Sequence, residues 1–425
     1  MNQNDLLRQI GTPLQTLYGS RGNAQEFQAA RYARLLDTHR QTFGPGNRVL
    51  FISAPGRTEI CGNHTDHNRG KVLAGAVNLD TLAAVSPRDD EAVSVFSEGH
   101  PPIRVDLREL NPIETEKGTA VALVRGVAFW LREHGFTVGG FDAVTTTNVF
   151  SGSGLSSSAA FEVLISAIFE TLYNGGTIGA VKRAQGSQYA ENVYFGKPSG
   201  LMDQMASSMG GLIAIDFEKD DPQIDAIPYD FAAKGYALAV VATGGSHDDL
   251  THCYADIPRE MRAVAEYFGK SVLREVPAET FFSGIPALRK ALAIPMRDRA
   301  ILRAQHFYTE NERVARMAEA LRRDDLPAFL AGIIASGQSS VAYLQNIYAT
   351  PERQEITLAL MIAEQLLKGK GAWRIHGGGF AGTTLNFVPL AMLPDFVRTM
   401  DAVFGENAAT VLDIRPVGPA VITLE

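Results

Sequence analysis

The sequence predicts an α+β protein with two domains, and three observations lead to that prediction. The chain has 425 residues, more than one ordinary core organises, because domains typically span about 100 to 200 residues. Hydrophobic residues make up 45% and charged residues 20%, which excludes a mainly disordered chain. Stretches with the periodicity of strands and of helices are interleaved along the whole chain.

The composition also limits the partners and the compartment. The 39 basic and 47 acidic residues give a formal net charge of −8, and without a basic run we expect no nucleic-acid partner. The two cysteines, Cys61 and Cys253, lie far apart, which excludes a disulfide framework and favours a reducing compartment. No signal-peptide core or membrane-length apolar run is present, so we expect a cytoplasmic protein without a membrane partner. The sequence does not indicate an oligomeric state.

The elements of residues 1–210 are predicted to form an N-terminal domain. Glycine-rich and polar stretches separate them, and the longest of these is predicted to be a loop from Ala54 to Lys71. The predicted strands are Arg48 to Ser53, Val72 to Pro87, Ala92 to Asp106 and Phe141 to Thr147. The predicted helices lie within Asp5 to Thr42, Ala120 to His134, Ala159 to Leu172, Ile178 to Tyr194 and Gly200 to Gly211.

Residues 211–425 are predicted to form a second α+β domain, because long amphipathic helices become frequent there. Its predicted strands are Leu212 to Phe217, Tyr236 to Thr243, Trp373 to His376, Thr383 to Val388 and Pro419 to Leu424. Its predicted helices run through Leu321, from Ala359 to Leu367 and from Asp395 to Phe404.

The strongest chemical signal is a glycine- and serine-rich stretch between a predicted strand and a predicted helix. Glycines allow several backbone N–H groups to converge, and the following helix N-terminus favours an anion, so the stretch predicts a phosphate site. A flexible turn is the structural alternative, but a turn does not need three serines next to a helix. The sequence contains no GxxxxGK[ST] motif, so this is not a Walker loop. The stretch consists of Gly152, Ser153, Gly154, Leu155, Ser156, Ser157 and Ser158.

A second glycine run, His376 to Gly382, matches GxGxxG formally, but a strand rather than a helix follows it. A dinucleotide fingerprint must open a helix, so we interpret the run as a turn that lets the backbone approach a ligand, or as a purely structural turn. The loop after Ala54 gathers Arg57, carboxylates, amides and imidazoles, a donor and acceptor set suited to sugar hydroxyls. A metal site from His64, Asp66 and His67 and an ordinary surface loop are the alternatives.

Two further acids stand out by their surroundings. Glu191 lies on a predicted helix, and Asp203 lies within the apolar stretch Leu201 to Met205. Such acids often cap helices or pair with arginine. Phosphoryl transfer, however, requires a Mg²⁺ ligand and an acid acting on the acceptor hydroxyl in addition to a phosphate site.

The three motifs together resemble the GHMP kinases, in the order APGR-x6-HTD, GxGLSSSAA and GGGFxG. The HTD loop and the segment Pro198 to Gln204, which matches PxGxMDQ, are similar to the galactokinase family. The resemblance covers about Arg48 to Val388. It implies an N-terminal domain like ribosomal protein S5 and a ferredoxin-like C-terminal domain, with the active site between them.

The resemblance also implies roles for individual residues and two cofactors, ATP and Mg²⁺. Asp203 matches the catalytic aspartate, and Arg57 matches the arginine that stabilises it. Ser158 and Glu191 match the Mg²⁺ ligands, and the backbone of residues 152–157 would hold the triphosphate. The positions that match sugar contacts are Arg57, Asn63, His64, Asp66, Gly200, Asp203 and Tyr254.

The implied reaction is phosphorylation of the C1 hydroxyl of galactose by ATP. One departure from the family pattern leaves more than one sugar as the possible substrate. The family usually has GRVNLIGEHTDYN, whereas this chain has GRTEICGNHTDHN, so Asn63 replaces a glutamate. A 1-kinase for a C6-modified sugar such as galacturonate is therefore an alternative, and a catalytically silent galactose sensor is an alternative of another class. A mevalonate- or homoserine-type kinase would leave the HTD loop unexplained.

Overall fold

In the computed structural model, two β-sheets and the helices that cover them form the molecule. The structure describes residues 3–19, 24–46, 48–149, 154–244, 250–380 and 382–423. The helices are α1 Gln3–Tyr18, α2 Ala24–Phe43, α3 Ala120–Glu133, α4 Ser157–Tyr173, α5 Ala180–Tyr189, α6 Met202–Met209, α7 Thr251–Tyr267, α8 Ala278–Ala291, α9 Arg297–Arg322, α10 Leu326–Ser339, α11 Glu355–Leu367 and α12 Leu393–Phe404.

The twelve strands of the described residues divide into a sheet of eight and a sheet of four. The larger sheet has the order β12-β1-β2-β5-β3-β4, with β6 paired to β2 and β7 paired to β6, and the smaller sheet has the order β11-β8-β10-β9. The strands are β1 Leu50–Cys61, β2 Lys71–Pro87, β3 Ala92–Ser97, β4 Ile103–Asp106, β5 Phe141–Thr147, β6 Leu212–Asp216, β7 Gln223–Ile227, β8 Tyr236–Ala242, β9 Ala372–His376, β10 Thr383–Pro389, β11 Ala409–Leu412 and β12 Ala420–Thr423.

Helices cover both sheets and enclose several cores. Helices α3 and α4 pack on one face of the larger sheet, and α1 and α2 pack on its other face. Helices α9 and α10 lie between the larger sheet and the smaller one, and α11 and α12 cover the outer face of the smaller sheet. Burial of these apolar faces is the main stabilising contribution to the fold.

The predicted α+β architecture is confirmed, with one correction to the predicted loop from Ala54 to Lys71. Strand β1 continues to Cys61, and β2 pairs with it as far as Cys61 opposite Leu73, with register shifts between Pro55 and Arg57 and between Glu59 and Cys61. The polar residues of this stretch mimicked a loop in the sequence. They can lie in a buried strand because partners from distant parts of the chain, described below, satisfy their polar side chains.

Two strands that the sequence assigned to the second domain, β6 and β12, belong to the larger sheet instead. Strand β6 pairs with β2, from Lys71 opposite Asp216 to Gly75 opposite Leu212, and β12 pairs with β1. The boundary between residues 210 and 211 stays a prediction. By strand pairing, residues 212–227 and 420–423 belong with the larger sheet, which the sequence assigned to residues 1–210.

The predicted helix from Ile178 to Tyr194 also ends differently. Helix α5 is followed directly by a wider π-helical turn over Ala190–Phe195. Such turns are frequent at functional sites, and this one contains Glu191. No helix in the part of the chain that the structure describes is long and apolar enough to cross a membrane.

Candidate active site

Arg57 and Asp203 form an ion pair at the centre of the candidate site. Arg57 Nε donates to Asp203 Oδ1 at 2.7 Å, and Arg57 Nη1 donates to the carbonyl of Gly154. Ser156 Oγ donates to the other carboxylate oxygen, Asp203 Oδ2, at 2.5 Å. The Asp203 side chain keeps 31% of its surface exposed, whereas that of Arg57 keeps 7%. Asp203 is thus held on one side by two donors and open on the other.

The pKa of Asp203 is lowered, although burial alone would raise it. The Arg57 charge and the hydrogen bonds from Arg57 and Ser156 outweigh the loss of hydration, because they favour the charged form. The carboxylate is therefore ionised at neutral pH. A negative oxygen next to a buried guanidinium can accept a hydrogen bond from a substrate hydroxyl.

The second motif follows β5 and leads into α4, as predicted. Gly152 and Ser153 lie outside the described residues. Gly154 and Ser156 both adopt positive φ, +70° and +58°, and Ser157 is the first residue of α4. The Leu155 side chain is buried in the core, while its carbonyl accepts from the Arg57 amide at 3.0 Å. The motif therefore brings the N-terminus of a 17-residue helix beside Arg57 and Asp203, where an anion would be stabilised.

Glu191 lies beside the start of α4 and is almost fully buried. Its Oε1 accepts from Ser158 Oγ at 3.1 Å and from Lys197 Nζ at 3.0 Å. Its Oε2 accepts from Ser199 Oγ at 2.6 Å and from Gln204 Nε2 at 2.8 Å. Ser158 and Glu191 present a hydroxyl and a carboxylate oxygen next to each other, the hard donors that Mg²⁺ prefers, with the rest of its shell coming from phosphates and water.

A second buried acid, Glu162, lies behind Glu191. Gln204 Nε2 bridges the two carboxylates, at 3.1 Å from Glu162 and 2.8 Å from Glu191. Burial, and then the charge of Glu191, raise the pKa of Glu162 well above its usual value. One N–H of the Gln204 amide thus orients Glu191 and the other donates to Glu162, and α6 carries this amide next to Asp203.

The HTD loop, which we define as residues 62–70, faces a glycine turn of residues 377–379. His64 Nε2 lies 2.9 Å from the carbonyl of Gly378, and Tyr254 Oη donates to the carbonyl of Gly379 at 2.7 Å. Asp66 and Gly200 are adjacent, since a Cβ on Gly200 would lie 1.7 Å from Asp66 Oδ2. His64, Asp66, Gly200 and Tyr254 therefore lie at the contact between this loop and its surroundings, and their role as sugar contacts stays a prediction.

Asn63 is fully buried in the structure. Its amide nitrogen donates to both oxygens of Glu59, at 3.0 and 3.2 Å, and to the carbonyl of Gly377 at 2.6 Å. Its amide oxygen accepts from Asn346 Nδ2 at 2.7 Å. The donors and the acceptor of the Asn63 amide are therefore occupied by protein contacts.

The alternative of a metal site at His64, Asp66 and His67 receives no support. Among the residues with described positions, no group of three or more histidine, cysteine, aspartate or glutamate side chains could hold a metal ion. The imidazoles of His64 and His67 are stacked instead, with ring centroids 6.2 Å apart.

Sequence reasoning missed several residues that hold the site. Arg374 pairs with Glu59 at 3.0 Å. His306 Nε2 lies 2.9 Å from the carbonyl of Asn63, and Glu310 accepts from the amide of Gly62 at 3.1 Å. The one sequence signal was a polar residue in an apolar context, such as Arg374 in a predicted strand. Its partner lies more than 300 positions away, so the sequence did not indicate it.

The fold and these clusters define a GHMP kinase. Residues 122–211 match the model of the GHMP kinase N-terminal domain, and residues 37–87 match the galactose-binding signature of galactokinases. The chain is 33% identical over 372 residues to the galactokinase of Streptomyces coelicolor, covering 86% of this chain and 92% of that protein. It is 30% identical to the galactokinase of Glaesserella parasuis, covering 82% and 87% respectively. The chain belongs to the galactokinase family.

Solved structures show the same fold. The crystal structure of Lactococcus lactis galactokinase complexed with galactose matches with a TM-score of 0.79 and 22% identity, covering 92% of this chain and 99% of that one. The mevalonate kinase of Methanococcus jannaschii matches with a TM-score of 0.61 and 14% identity, covering 90% and 100%. Its membership of the galactokinase family makes the protein an enzyme of a kinase family that uses ATP.

Proposed function

We propose that this enzyme transfers the γ-phosphoryl group of ATP to the C1 hydroxyl of galactose and releases galactose 1-phosphate and ADP. The observation that carries the proposal is the Arg57–Asp203 ion pair, with an open carboxylate at the junction of the α4 N-terminus and the HTD loop. A sugar bound at that loop and a triphosphate bound at the helix would meet at Asp203.

In this mechanism, the C1 oxygen attacks the γ-phosphorus in line with the departing β-phosphate oxygen. Asp203 accepts a hydrogen bond from the C1 hydroxyl, orients it, and takes its proton as the new O–P bond forms and the bond to ADP breaks. Arg57 keeps Asp203 charged, and its guanidinium places a positive charge beside the transferred phosphoryl oxygens. The backbone N–H groups at the start of α4 would stabilise the same oxygens without reorganising.

Ser158 and Glu191 would hold Mg²⁺, and their donor set fits that ion as described above. When bound, the ion would neutralise phosphate charge. Gln204 and Ser199 keep the Glu191 carboxylate turned toward Ser158. Lys197 currently donates to the same oxygen, but 61% of its side chain is exposed, so it can withdraw when the nucleotide binds.

The test is ADP release from ATP and Mg²⁺ across galactose, glucose, galacturonate and 6-deoxygalactose, with the phosphorylated carbon identified by NMR. We expect galactose to be the best substrate and C1 to carry the phosphate. Activity on galacturonate with little on galactose would replace the proposed substrate. Galactose binding without turnover on any sugar would instead indicate a silent sensor.

A further inference from the structure

The contacts of Asn63 fix the orientation of its amide. An amide NH₂ group has two hydrogens, and three acceptors surround it: the two oxygens of Glu59 and the carbonyl of Gly377. Rotation by 180° would turn the amide oxygen toward these oxygens and break the bond from Asn346. Asn63 therefore cannot turn to serve a ligand without losing its contacts with Glu59 and Gly377.

Glu59 is in turn held by Arg374. Arg374 Nη2 donates to Glu59 Oε1 at 3.0 Å, and Nη1 donates to the carbonyl of Ile60 at 2.5 Å. The side chains of Arg374 and Glu59 keep 0% and 5% of their surface exposed. Removing one member of a buried ion pair is costly because the other charge is left without a partner, so Glu59, Asn63 and Arg374 depend on one another.

These three residues connect the two sheets at the candidate sugar site. Glu59 belongs to β1 of the larger sheet, and Arg374 belongs to β9 of the smaller sheet. Asn63 reaches the carbonyl of Gly377, directly before the carbonyl of Gly378 that contacts His64. The orientation of the glycine turn against the HTD loop therefore depends on the Asn63 amide.

The replacement of the family's glutamate by Asn63 is accompanied by a second difference four residues earlier, at Glu59. Where the usual family sequence has asparagine and then glutamate, this chain has Glu59 and then Asn63. In the structure the two side chains touch, so the exchange keeps one carboxylate and one amide in contact. A change that looks like the loss of a charge in the sequence is a relocation of that charge.

We propose that Glu59, Asn63 and Arg374 act as one positioning unit, which holds the HTD loop against the glycine turn and thereby sets the affinity for the sugar. Asn63 does so without contacting the sugar. The proposal rests on the proposed function for the identity of the sugar, but the existence of the unit does not.

The test is a double-mutant cycle of Glu59→Asn, Asn63→Glu and the reciprocal double variant. Asn63→Glu brings two buried carboxylates together, and Glu59→Asn leaves Arg374 unpaired, so each single change should raise the KM for galactose at least ~10-fold. The KM for ATP should stay within about twofold, since the phosphate motif is untouched. The double variant retains one carboxylate and one amide but lacks the donor to the Gly377 carbonyl, so its KM for galactose should rise by less than the product of the two single increases.

A second readout needs no substrate. Hydrogen–deuterium exchange of peptides covering residues 62–70 and 377–379 should be faster in each single variant than in the parent, and slower in the double variant than in either single variant. Glu59→Gln, which keeps the shape, replaces Glu59→Asn if that variant does not fold. Peptides of α12, far from the unit, serve as the internal control.

The outcomes separate the two proposals. Unchanged exchange in the single variants, or a double variant whose defect equals the product of the single defects, would overturn the unit. Faster exchange with an unchanged KM for galactose would overturn its role in sugar affinity. A parent enzyme without activity on galactose would overturn the proposed function, and the unit would then be judged on exchange alone.

Discussion

Asp203 illustrates how neighbouring residues set the chemistry of a single side chain. Its pKa is lowered because the Arg57 charge and two hydrogen bonds outweigh burial. A carboxylate with a lowered pKa is a weaker base than one near neutrality. In the proposed mechanism, the lowered pKa therefore favours Asp203 as the group that orients the hydroxyl throughout the reaction. Proton transfer to Asp203 would be completed late, when the attacking oxygen has become acidic.

We expect Asp203→Asn to reduce kcat by ~10²–10⁴-fold, because the amide keeps the shape but cannot take the proton. Nucleotide affinity, measured by titration calorimetry, should stay nearly unchanged. Ser156→Ala is the matched variant: it removes one hydrogen bond to Asp203 and should cost less. An Asp203→Asn enzyme that keeps more than half of its kcat would exclude Asp203 from the mechanism.

We expect Glu191→Ala to raise the Mg²⁺ concentration at half-maximal rate by ~10-fold, with partial rescue at high Mg²⁺, because a missing ligand lowers metal occupancy. Mn²⁺ binding in the presence of a nonhydrolysable ATP analogue, followed by electron paramagnetic resonance, measures the same loss without turnover. Lys197→Ala removes a neighbour of Glu191 that is not a metal ligand and should not weaken metal binding. Equal metal dependence in Glu191→Ala and the parent would show that Glu191 is not a ligand.

At the residue scale, the sequence indicated candidate reactive groups but not the residues that support them. Asp203 was singled out because a carboxylate among apolar residues needs a reason, and Glu191 because phosphoryl transfer requires a Mg²⁺ ligand in addition to a phosphate site. Gln204 and Arg374 were not assigned roles, because each works through a contact that only the folded chain creates. Gln204 lies next to Asp203 in the sequence, yet its function depends on Glu162 and Glu191.

At the scale of elements, β1 shows why polar strands are misread. Its second half carries Arg57, Thr58 and Glu59, which are typical of a loop, but all three are buried. Arg57 and Glu59 pair with Asp203 and Arg374, and Thr58 Oγ1 lies 3.1 Å from His376 Nε2. Strand β5, by contrast, was predicted with the bounds that the structure has, Phe141 to Thr147, whereas the predicted strand from Ala92 to Asp106 is two strands, β3 and β4.

Gly62 ends β1 and turns the chain so that Asn63 returns toward Glu59. Its φ is +102°, and a Cβ there would lie 2.5 Å from the carbonyl oxygen of Lys71. We therefore expect Gly62→Ala to lower stability by ~2 kcal/mol and the melting temperature by ~2 °C, measured by calorimetry.

Gly11→Ala provides the control for this prediction. Gly11 lies within α1, and a Cβ there would meet nothing within 4 Å. This change should leave the melting temperature unchanged or raise it slightly, because alanine favours helices. Equal melting temperatures for Gly62→Ala and Gly11→Ala would contradict the strained turn.

At the scale of the whole molecule, the HTD loop connects β1 and β2 of the larger sheet, but residues of the C-terminal half hold it in place. Helix α9 holds the backbone of this loop, since His306 contacts the carbonyl of Asn63 and Glu310 accepts from the amide of Gly62. Asn311 accepts at 2.7 Å from the amide of Lys71, the first residue of β2 after the loop. The sequence predicted two α+β halves and the three motifs. It did not predict that α9 closes over the loop, because amphipathic periodicity identifies a buried face but not the surface that covers it.

This closure makes the stability of the molecule depend on pH through His306. His306 is fully buried, and burial lowers its pKa to about 3. The folded state therefore binds fewer protons than the unfolded state below pH 6.5, the usual histidine pKa. Stability present above pH 6.5 is lost as the pH falls toward 3, by ~1.4 kcal/mol per pH unit for this one group.

Other buried groups contribute in both directions. The pKa of His376 is lowered well below its usual value, because of burial and then the charges of Arg57 and Arg374, so it adds to the loss in acid. Glu162 acts oppositely: its raised pKa means that the folded state binds more protons, so its contribution falls as the pH rises above about 4.5. The slope of the parent's unfolding free energy against pH is the sum of the contributions of these groups. Only a comparison of variants isolates the contribution of His306.

We therefore expect His306→Gln to be less stable than the parent at pH 7.5 but to lose stability less steeply between pH 6.5 and 4.5. Glutamine cannot take up the proton, so the difference in unfolding free energy between parent and variant should shrink by ~1.4 kcal/mol per pH unit as the pH falls. Urea unfolding at five pH values in this window measures the difference. His100→Gln, at an exposed position, is the matched control and should follow the parent. Parallel curves for His306→Gln and the parent would show that His306 does not contribute to the pH dependence of stability in this window.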